Sequence, residues 1–337
     1  MSALIDLRDP SSFPSRREEA WKYTDVRRVL REAPPPSPAG EVAPGGPFAG
    51  LDGEEHAVVN GRGAERIVVS EGEAVRRLRF VSTSAGTGHQ AEVAIEVAAG
   101  ASLLLLESHE GQAAGYVANA RLTITVGEGA RLTRVVLGED AADALAFVRA
   151  EVALAPGATF QQTTVTTGAK LQRFETHVRH PGQGASVRLD GLYALTGERH
   201  ADLTSVVTHA GRDGVTSQLT KGSVRDTGRG VFQGKIVVER GADGTDARMG
   251  HHALILSERG EIDAKPELII YADEVQCAHG NTIGALDEDA LFYMQQRGLP
   301  ADEARALLTQ AFLLEVVDRV DHEGAREAVR TWLTQRL

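Results

Sequence analysis

The sequence predicts a mainly β protein whose strands wind into a β-solenoid, with a short N-terminal segment before it and a C-terminal α-helical domain after it. Several stretches alternate apolar and polar residues, as half-buried strands do; the clearest are residues 91–97, 121–126, 150–155 and 185–195. A Gly-Ala pair recurs beside these stretches about every 28 residues, which is typical of stacked coils that share one turn. The pairs begin at Gly100, Gly129, Gly157 and Gly184.

A β-sandwich is the alternative fold, although its strands need not repeat at a fixed interval. The chain shows no six-residue repeat, which argues against a left-handed hexapeptide solenoid. Changes in pattern divide the chain into three parts. These are an N-terminal segment with a linker at 1–50, the solenoid core at 51–285 and a helical domain at 286–337.

The N-terminal segment combines a charged module with a proline-rich linker. Residues 15–32 are predicted to be partly helical, and three consecutive prolines favour an extended backbone over residues 33–46. Trp21 and Tyr23 supply the aromatic bulk of the module. We expect them to anchor it to the main body; the alternative is a patch that docks a partner.

The C-terminal domain has clear helix signals. Asp287 is a predicted N-cap, Gly298 ends the first helix and Pro300 begins the second. A third helix is predicted over residues 325–337. A segment of this size is too small to be stable alone. We therefore expect it to cap the end of the solenoid or to pack on another protein.

Composition restricts the class of protein. The chain has 337 residues, a net charge of -11 and one cysteine. An acidic surface argues against nucleic-acid binding, and one cysteine excludes an internal disulfide and fits a reducing compartment. The N-terminus lacks the features of a signal peptide, and the apolar runs are too short to span a membrane. We expect a cytoplasmic protein.

The stretch from Glu267 to Gly298 holds the cysteine, Cys277, and a histidine two residues later, His279. If residues 267–277 are extended and the strand continues, Asp273, Cys277 and His279 share one face. A thiol, an imidazole and a carboxylate suit a soft metal or thiolate chemistry. One strand supplies too few ligands for a stable structural metal, so the rest of such a site must lie elsewhere.

Residues 272–284 read A-D-E-V-Q-C-A-H-G-N-T-I-G, which resembles the SufB/SufD family of iron–sulfur cluster assembly proteins and, within it, the SufD branch. Residues 228–256 are similar to another block of that family. The N-terminal run P-S-R-R-E-E-A-W-K-Y-T-D-V resembles the opening of the SufD branch. The resemblance is loose through the middle coils.

The resemblance implies a right-handed parallel β-helix and a non-catalytic scaffold subunit that works with SufB and with the ATPase SufC. SufB is expected to pair with the late strands. Cys277 and His279 would then bind transient iron or a nascent cluster shared with SufB, with Asp273 as a weaker candidate. SufC, which would hydrolyse ATP, is expected to dock on the C-terminal helices. The implied docking residues are Asp287, Leu291, Phe292, Tyr293, Leu307, Leu308 and Phe312.

No cofactor is expected on the isolated chain, although a flavin in the complex stays open. The isolated chain could form a homodimer through the SufB surface, because an exposed strand pairs readily with a like edge. The sequence lacks a phosphate-binding loop, and one cysteine cannot complete a Cys-rich cluster site.

Two alternative functions remain. One is a β-helix enzyme that cleaves polysaccharide with carboxylates such as Asp190 and Asp202, or uses a single metal at His279. The other is a structural protein with an inert Cys-x-His.

Overall fold

The chain folds into a solenoid of two sheets that are parallel except where β2 pairs antiparallel with β1. Short helices precede the solenoid, and three α-helices follow it. The structure is a computed structural model that describes residues 5–337; residues 1–4, which begin the predicted N-terminal segment, lie outside the described residues. The strands are β1 (Glu54–Val59), β2 (Arg62–Gly63), β3 (Arg66–Val69), β4 (Glu73–Ser82), β5 (Gly88–Val97), β6 (Ser102–Gly111), β7 (Val117–Val126), β8 (Arg131–Glu139), β9 (Leu145–Leu154), β10 (Thr159–Thr166), β11 (Leu171–His180), β12 (Ser186–Leu195), β13 (His200–His209), β14 (Val215–Val224), β15 (Arg229–Val238), β16 (Asp246–Ile255), β17 (Glu261–Ile270) and β18 (Gln276–Gly284).

Successive long strands alternate between the two sheets. One sheet has ten strands in the order β18-β16-β14-β12-β10-β8-β6-β4-β1-β2, and the other has eight in the order β17-β15-β13-β11-β9-β7-β5-β3. Each long strand pairs in parallel with the strand one coil away; Thr159 of β10, for example, lies beside Arg131 of β8 and Ser186 of β12. The predicted β-solenoid is confirmed, and the β-sandwich alternative is wrong.

The repeated glycines form one corner of the coils. In the first such turn the Ala101 N–H donates to the Ala98 carbonyl at 3.1 Å, which is the bond of a four-residue turn with Gly100 in third place. A type II turn requires a positive φ at that place, which glycine adopts without steric cost. The φ angles are 70° at Gly100, 62° at Gly129, 68° at Gly157 and 75° at Gly184. The sequence repeat therefore reports a repeated backbone conformation.

A buried ion pair lies inside the solenoid. Arg134 on β8 donates from Nε and Nη2 to the Glu107 carboxylate on β6 at 2.8 and 2.7 Å, and from Nη1 to Gln162 Oε1 at 2.7 Å. His109 Nε2 lies 2.7 Å from Glu107 Oε1. Burial would raise the pKa of Glu107, but Arg134 and His109 together lower it to about 2. The pair is therefore ionised at neutral pH.

The C-terminal helices are α2 (Glu288–Gln296), α3 (Ala301–Val317) and α4 (Glu323–Thr334). The expectation that they cap the end of the solenoid is wrong, because they pack along the outer face of the ten-stranded sheet. That face carries a row of buried apolar side chains from β6 to β14. A parallel sheet with apolar side chains on both faces needs a cover on both. The contacting side chains include Leu106, Leu137, Val165 and Leu192 of the sheet and Leu313, Val316, Trp332 and Leu333 of the helices. None of the helices within residues 5–337 has the length and apolar character needed to cross a membrane.

The N-terminal segment crosses the outer face of the eight-stranded sheet. Its described residues, 5–50, contain two single-turn 3-10 helices and one short helix, α1 (Val26–Val29). Trp21 is 3% exposed; the Arg173 guanidinium lies 4.2 Å from its ring, and the Phe147 ring contacts it edge-on. Trp21 therefore anchors the segment to the body, as predicted. The linker is extended, and Pro36 forms a parallel bridge with Gly88.

Two histidines stack inside a corner of the solenoid. The rings of His180 and His209 lie 4.5 Å apart between centroids. His209 Nε2 lies 2.9 Å from Thr216 Oγ1, whereas its Nδ1 is buried without a partner among residues 5–337. Burial, together with the nearby His180, lowers the pKa of His209 to about 3. His209 is therefore neutral in the folded chain at neutral pH.

We expect the free energy of unfolding to fall as the pH decreases below about 6.5, because the unfolded chain protonates His209 there and the folded chain does not. Protonation of His209 in the unfolded chain alone lowers the free energy of unfolding by about 2 kcal/mol between pH 6.5 and about pH 5. Urea denaturation at several pH values, on the wild type and on His209→Gln, isolates this contribution from other titrating groups. His252→Gln, on the outer face of β16, is the matched control. Identical pH profiles for the wild type and His209→Gln would contradict the assignment.

Candidate functional site

The solenoid is open at its C-terminal end. β17 and β18 are the last strands of their sheets, so neither has a neighbour on its outer edge within residues 5–337. Apolar side chains accompany this edge: Ile270, Tyr271 and Ile283 are 40%, 61% and 41% exposed. Unpaired backbone groups beside exposed apolar residues are typical of a surface that meets another chain.

Cys277 and His279 lie on the inward face of β18. Cys277 stands beside Ala247 of β16, and His279 stands beside Met249. Ala247 and Met249 are buried in the interior. Side chains in register on parallel strands point to the same face, so Cys277 and His279 also face the interior at its open end. β18 continues through His279, so the two side chains share one face as the sequence indicates.

The Cys277 thiol is half-buried. It packs in a cluster with Phe232, Met249 and Val275. Burial raises the pKa of the thiol, and the Asp246 carboxylate adds to the rise. The protonated thiol therefore predominates at neutral pH. A bound cation would have to displace its proton before Cys277 could bind as a thiolate.

The His279 side chain is exposed at the open end. Across residues 5–337, no hydrogen bond or ion pair engages either of its ring nitrogens. A neutral imidazole nitrogen without a partner is an available metal ligand. His279 is thus the more accessible of the two donor side chains.

Asp273 does not share this face, and the expectation of a continuous strand through residues 267–277 is wrong. β17 ends at Ile270 and β18 begins at Gln276, so Asp273 lies on the corner between them. The long strands of this solenoid span about ten residues, after which the chain must turn to enter the opposite sheet. The Asp273 N–H points to Asp243 Oδ1, 3.4 Å away on the preceding coil.

Within the described part of the chain, residues 5–337, no three His, Cys, Asp or Glu side chains come close enough together to hold a metal ion. Cys277 and His279 contribute two donors, one soft and one of intermediate softness. Stable protein sites for zinc or iron–sulfur clusters commonly use more ligands than this. Any metal held at the open end therefore needs further ligands from outside the chain.

A polar row that the sequence analysis did not predict runs from the interior to the open end. His251 on β16 is buried; its Nδ1 lies 2.7 Å from Asn281 Oδ1 on β18, and its Nε2 lies 2.9 Å from Tyr193 Oη. Its ring stacks on Phe232, with centroids 4.7 Å apart. Burial lowers the pKa of His251 to about 4, so the row carries no charge at neutral pH. The signal in the sequence that could have indicated this row is the separation of 30 residues between His251 and Asn281, which is about one coil.

Asp190 and Asp202 do not form a catalytic pair. Asp190 lies on β12 and accepts from Arg319 Nε at 2.9 Å under the C-terminal helices. Asp202 lies on β13, in the other sheet, and accepts from Arg173 Nη1 at 2.6 Å under the N-terminal segment. Polysaccharide cleavage by two facing carboxylates needs both on one substrate-binding surface. These two carboxylates lie on opposite outer faces.

Comparison with known proteins gives the family. The family model described as "SUF system FeS cluster assembly, SufBD core domain" matches residues 80–312, which is more than half of the chain. The chain belongs to the SufBD core-domain family. Within this family, the matches include proteins of the SufD type.

Three curated relatives show how far the similarity extends. Iron-sulfur cluster assembly protein SufD of Escherichia coli is 31% identical over 224 residues, which cover 66% of this chain and 53% of the relative. An iron-sulfur cluster assembly SufBD family protein of Synechocystis is 33% identical, covering 61% and 45%. The chloroplastic protein ABCI7 of Arabidopsis thaliana is 32% identical, covering 64% and 46%. The chain spans about half the length of the curated relatives it matches.

The predicted docking residues of this SufBD chain divide into exposed and buried groups. Asp287 caps α2 through its side chain, and Leu291 is 2% exposed. Leu308 and Phe312 are half-buried, and Lys221 lies 4.1 Å from the Phe312 ring. The exposed apolar side chains of this set are Phe292, Tyr293 and Leu307, which are 63%, 59% and 41% exposed.

Proposed function

We propose that this SufBD chain is a scaffold subunit in a complex of the SufB–SufC–SufD type, and that its open solenoid end joins a SufB-type partner. One observation supports this most strongly. Cys277 and His279 face an open end whose outer strand lacks a partner within residues 5–337, and no third ligand accompanies them there. A partner strand would cover the edge and could supply the missing ligands.

The cargo at this interface would be iron or a nascent iron–sulfur cluster. His279 would bind first, because it is the more exposed of the two donor side chains. Cys277 would follow, because the charge of the metal lowers the pKa of a coordinating thiol. Two ligands from this chain give a weak site, which suits an assembly intermediate that must be passed on.

The proposal assigns no catalytic step to this chain. ATP hydrolysis would occur in a SufC-type ATPase docked on α2 and α3. The single cysteine fits a cytoplasmic setting. A flavin in the complex and a homodimer of the isolated chain, formed through the edge of β18, both stay predictions.

Anaerobic co-expression with SufB-type and SufC-type partners tests the proposal as a whole. We expect the three chains to purify together and to retain iron. A complex that contains the ATPase but never the SufB-type chain would contradict the assignment of the open end. Failure of the chain to enter any complex would contradict the scaffold function itself.

The exposed aromatic pair on α2 gives a sharper test of ATPase docking. We expect the double variant Phe292→Ala, Tyr293→Ala to weaken retention of the SufC-type partner by about tenfold or more, since exposed aromatic anchors dominate interface energies. Retention of the SufB-type partner should not change. The matched control is Val68→Ala, an exposed apolar residue on β3. Removing residues 286–337 is a poorer test, because these helices also cover the outer face of the ten-stranded sheet.

A further inference from the structure

A groove of about 600 Å³ lies at the end of the solenoid remote from β18, between the N-terminal segment and the first coils. Its floor is the turn from Asn60 to Arg62 and the start of β5, and its walls are residues 7–8 and the proline-rich linker. Binding sites for small molecules have volumes of about 300–1,000 Å³. The groove therefore has the size of a small-molecule site.

The walls of the groove are fixed by backbone hydrogen bonds. The Gly88 N–H donates to the Pro35 carbonyl at 2.7 Å, and the Ser37 N–H donates to the Gly88 carbonyl at 2.9 Å. On the other wall the Leu7 N–H donates to Gln90 Oε1 at 3.2 Å. A side chain at Gly61 would clash with the Gln90 carbonyl at 2.5 Å. These contacts hold the groove open without a ligand, which lowers the entropic cost of binding.

Two arginines without carboxylate partners line the groove. Arg62 Nη1 donates to the carbonyls of Ser37 and Asn60 at 3.0 and 3.2 Å, and the rest of its guanidinium makes no hydrogen bond within residues 5–337. Among the same residues, no ion pair engages Arg62 or Arg8. No aspartate or glutamate lines the groove in the described part of the chain. By contrast Arg66 on β3, which does not line the groove, pairs with Glu96 at 2.8 Å.

The rest of the lining is neutral. His89 lies between Ser37 Oγ at 3.0 Å and Ser82 Oγ at 3.1 Å. Burial and the charge of Arg62 lower the pKa of His89 to about 4, so it adds no charge at neutral pH. Ala33, Pro34 and Pro36 of the linker give the walls apolar surface, whereas Leu7 is buried beneath them. The groove thus combines a local positive charge with apolar walls, on a chain whose net charge is -11.

We propose that this groove binds a small phosphorylated molecule of nucleotide size, with Arg62 and Arg8 on its phosphate groups and the linker wall at Ala33 and Pro34 against its ring. Guanidinium groups bind phosphate oxygens in pairs of parallel hydrogen bonds, and uncompensated arginines favour an anionic ligand. The volume exceeds what inorganic phosphate needs. The volume that a phosphate group leaves unfilled lies against the apolar walls, where a ring would bind.

Isothermal titration of the full chain with ADP, pyrophosphate and citrate, in phosphate-free buffer, tests the proposal. We expect ADP to bind most tightly, and Arg62→Gln and Arg8→Gln each to weaken ADP binding by about tenfold. Arg8 is the cleaner variant, because its guanidinium has no hydrogen-bond partner within residues 5–337. Arg66→Gln is the matched control and should bind ADP as the wild type does.

Two results would overturn the proposal: no heat of ADP binding at millimolar concentration, or equal ADP affinity in the wild type and both groove variants. Pyrophosphate or citrate binding as tightly as ADP would overturn the assignment of the walls to a ring. A thermal-unfolding curve for each variant confirms that the chain is folded. The test is independent of the proposed assembly function, since it requires no partner.

Discussion

Replacing Glu107 with glutamine is expected to lower the free energy of unfolding by about 3–5 kcal/mol, because it leaves a charged arginine without its partner inside the solenoid. Arg134 is 2% exposed and makes two hydrogen bonds to the Glu107 carboxylate. A glutamine carries no charge and offers one oxygen instead of two. Urea denaturation followed by circular dichroism measures the loss.

Two further variants show whether this loss comes from burial of the charge. Glu96→Gln removes a carboxylate that pairs with Arg66 on the surface, and it should cost less than about 1 kcal/mol. The double variant Glu107→Leu, Arg134→Met should recover most of the stability, since apolar residues of similar volume replace a buried pair with little loss. A cost below about 1 kcal/mol for Glu107→Gln would contradict the account.

The same ion pair predicts a pH dependence. The pKa of Glu107 is depressed in the folded chain, to about 2. Its contribution is therefore complete above the unfolded value of 4.5 and is lost as the pH falls from there toward 2. As the pH falls, the free energy of unfolding decreases first through His209 and then, at lower pH, through Glu107. Glu107→Gln should therefore abolish only the part of the pH dependence that lies below about 4.5.

Replacing His279 with alanine is expected to reduce the iron retained by the assembled complex by about tenfold or more. Loss of groups that only support a metal ligand typically costs about 10- to 100-fold in affinity, and loss of a ligand should cost at least as much. His279 is exposed and makes no hydrogen bond within residues 5–337, so the substitution should leave folding and assembly unchanged. Iron per complex, measured after anaerobic purification, gives the result.

His252→Ala is the matched control for His279→Ala. His252 lies one coil away on the outer face, where its Nδ1 is 2.7 Å from Thr282 Oγ1. Its removal should leave the iron content unchanged. Cys277→Ala tests the second donor, and it should also lower iron retention without preventing assembly. Full iron content in intact complexes of both His279→Ala and Cys277→Ala would refute the ligand roles.

The solenoid could be predicted because its corners need one unusual conformation. Glycine adopts a positive φ where other residues are strained, so Gly100, Gly129 and their successors mark the coils in the sequence. The shared face of Cys277 and His279 could be predicted for a similarly local reason, since side chains on a strand alternate with period two. The position of Asp273, on the corner between β17 and β18, could not be predicted from the sequence. The run after Ile270 contains no glycine or proline that marks a turn before Cys277. Only the length of the preceding strand places the corner there.

The position of the C-terminal helices depended on a signal that the sequence analysis did not use. In β12, Leu189 faces the interior and Leu192 faces outward, and both are buried. A strand that is apolar on both faces needs a cover on its outer side. The helix signals in the sequence predicted that α2 to α4 form, but they did not predict where these helices pack. The further ligands that the proposed metal site would need lie beyond any single-chain prediction, because no third ligand joins Cys277 and His279 within the described residues.

Amide hydrogen exchange across residues 261–284 tests the central claim most directly. It compares the chain alone, at a concentration where it is monomeric, with the chain bound to a SufB-type partner. The account predicts slower exchange along β18 on binding, because a partner strand would pair with its free edge, and no change in the interior strands β6 to β10. Unchanged exchange in β18 within a stable complex would show that the partner binds elsewhere, and that Cys277 and His279 do not lie at the shared interface.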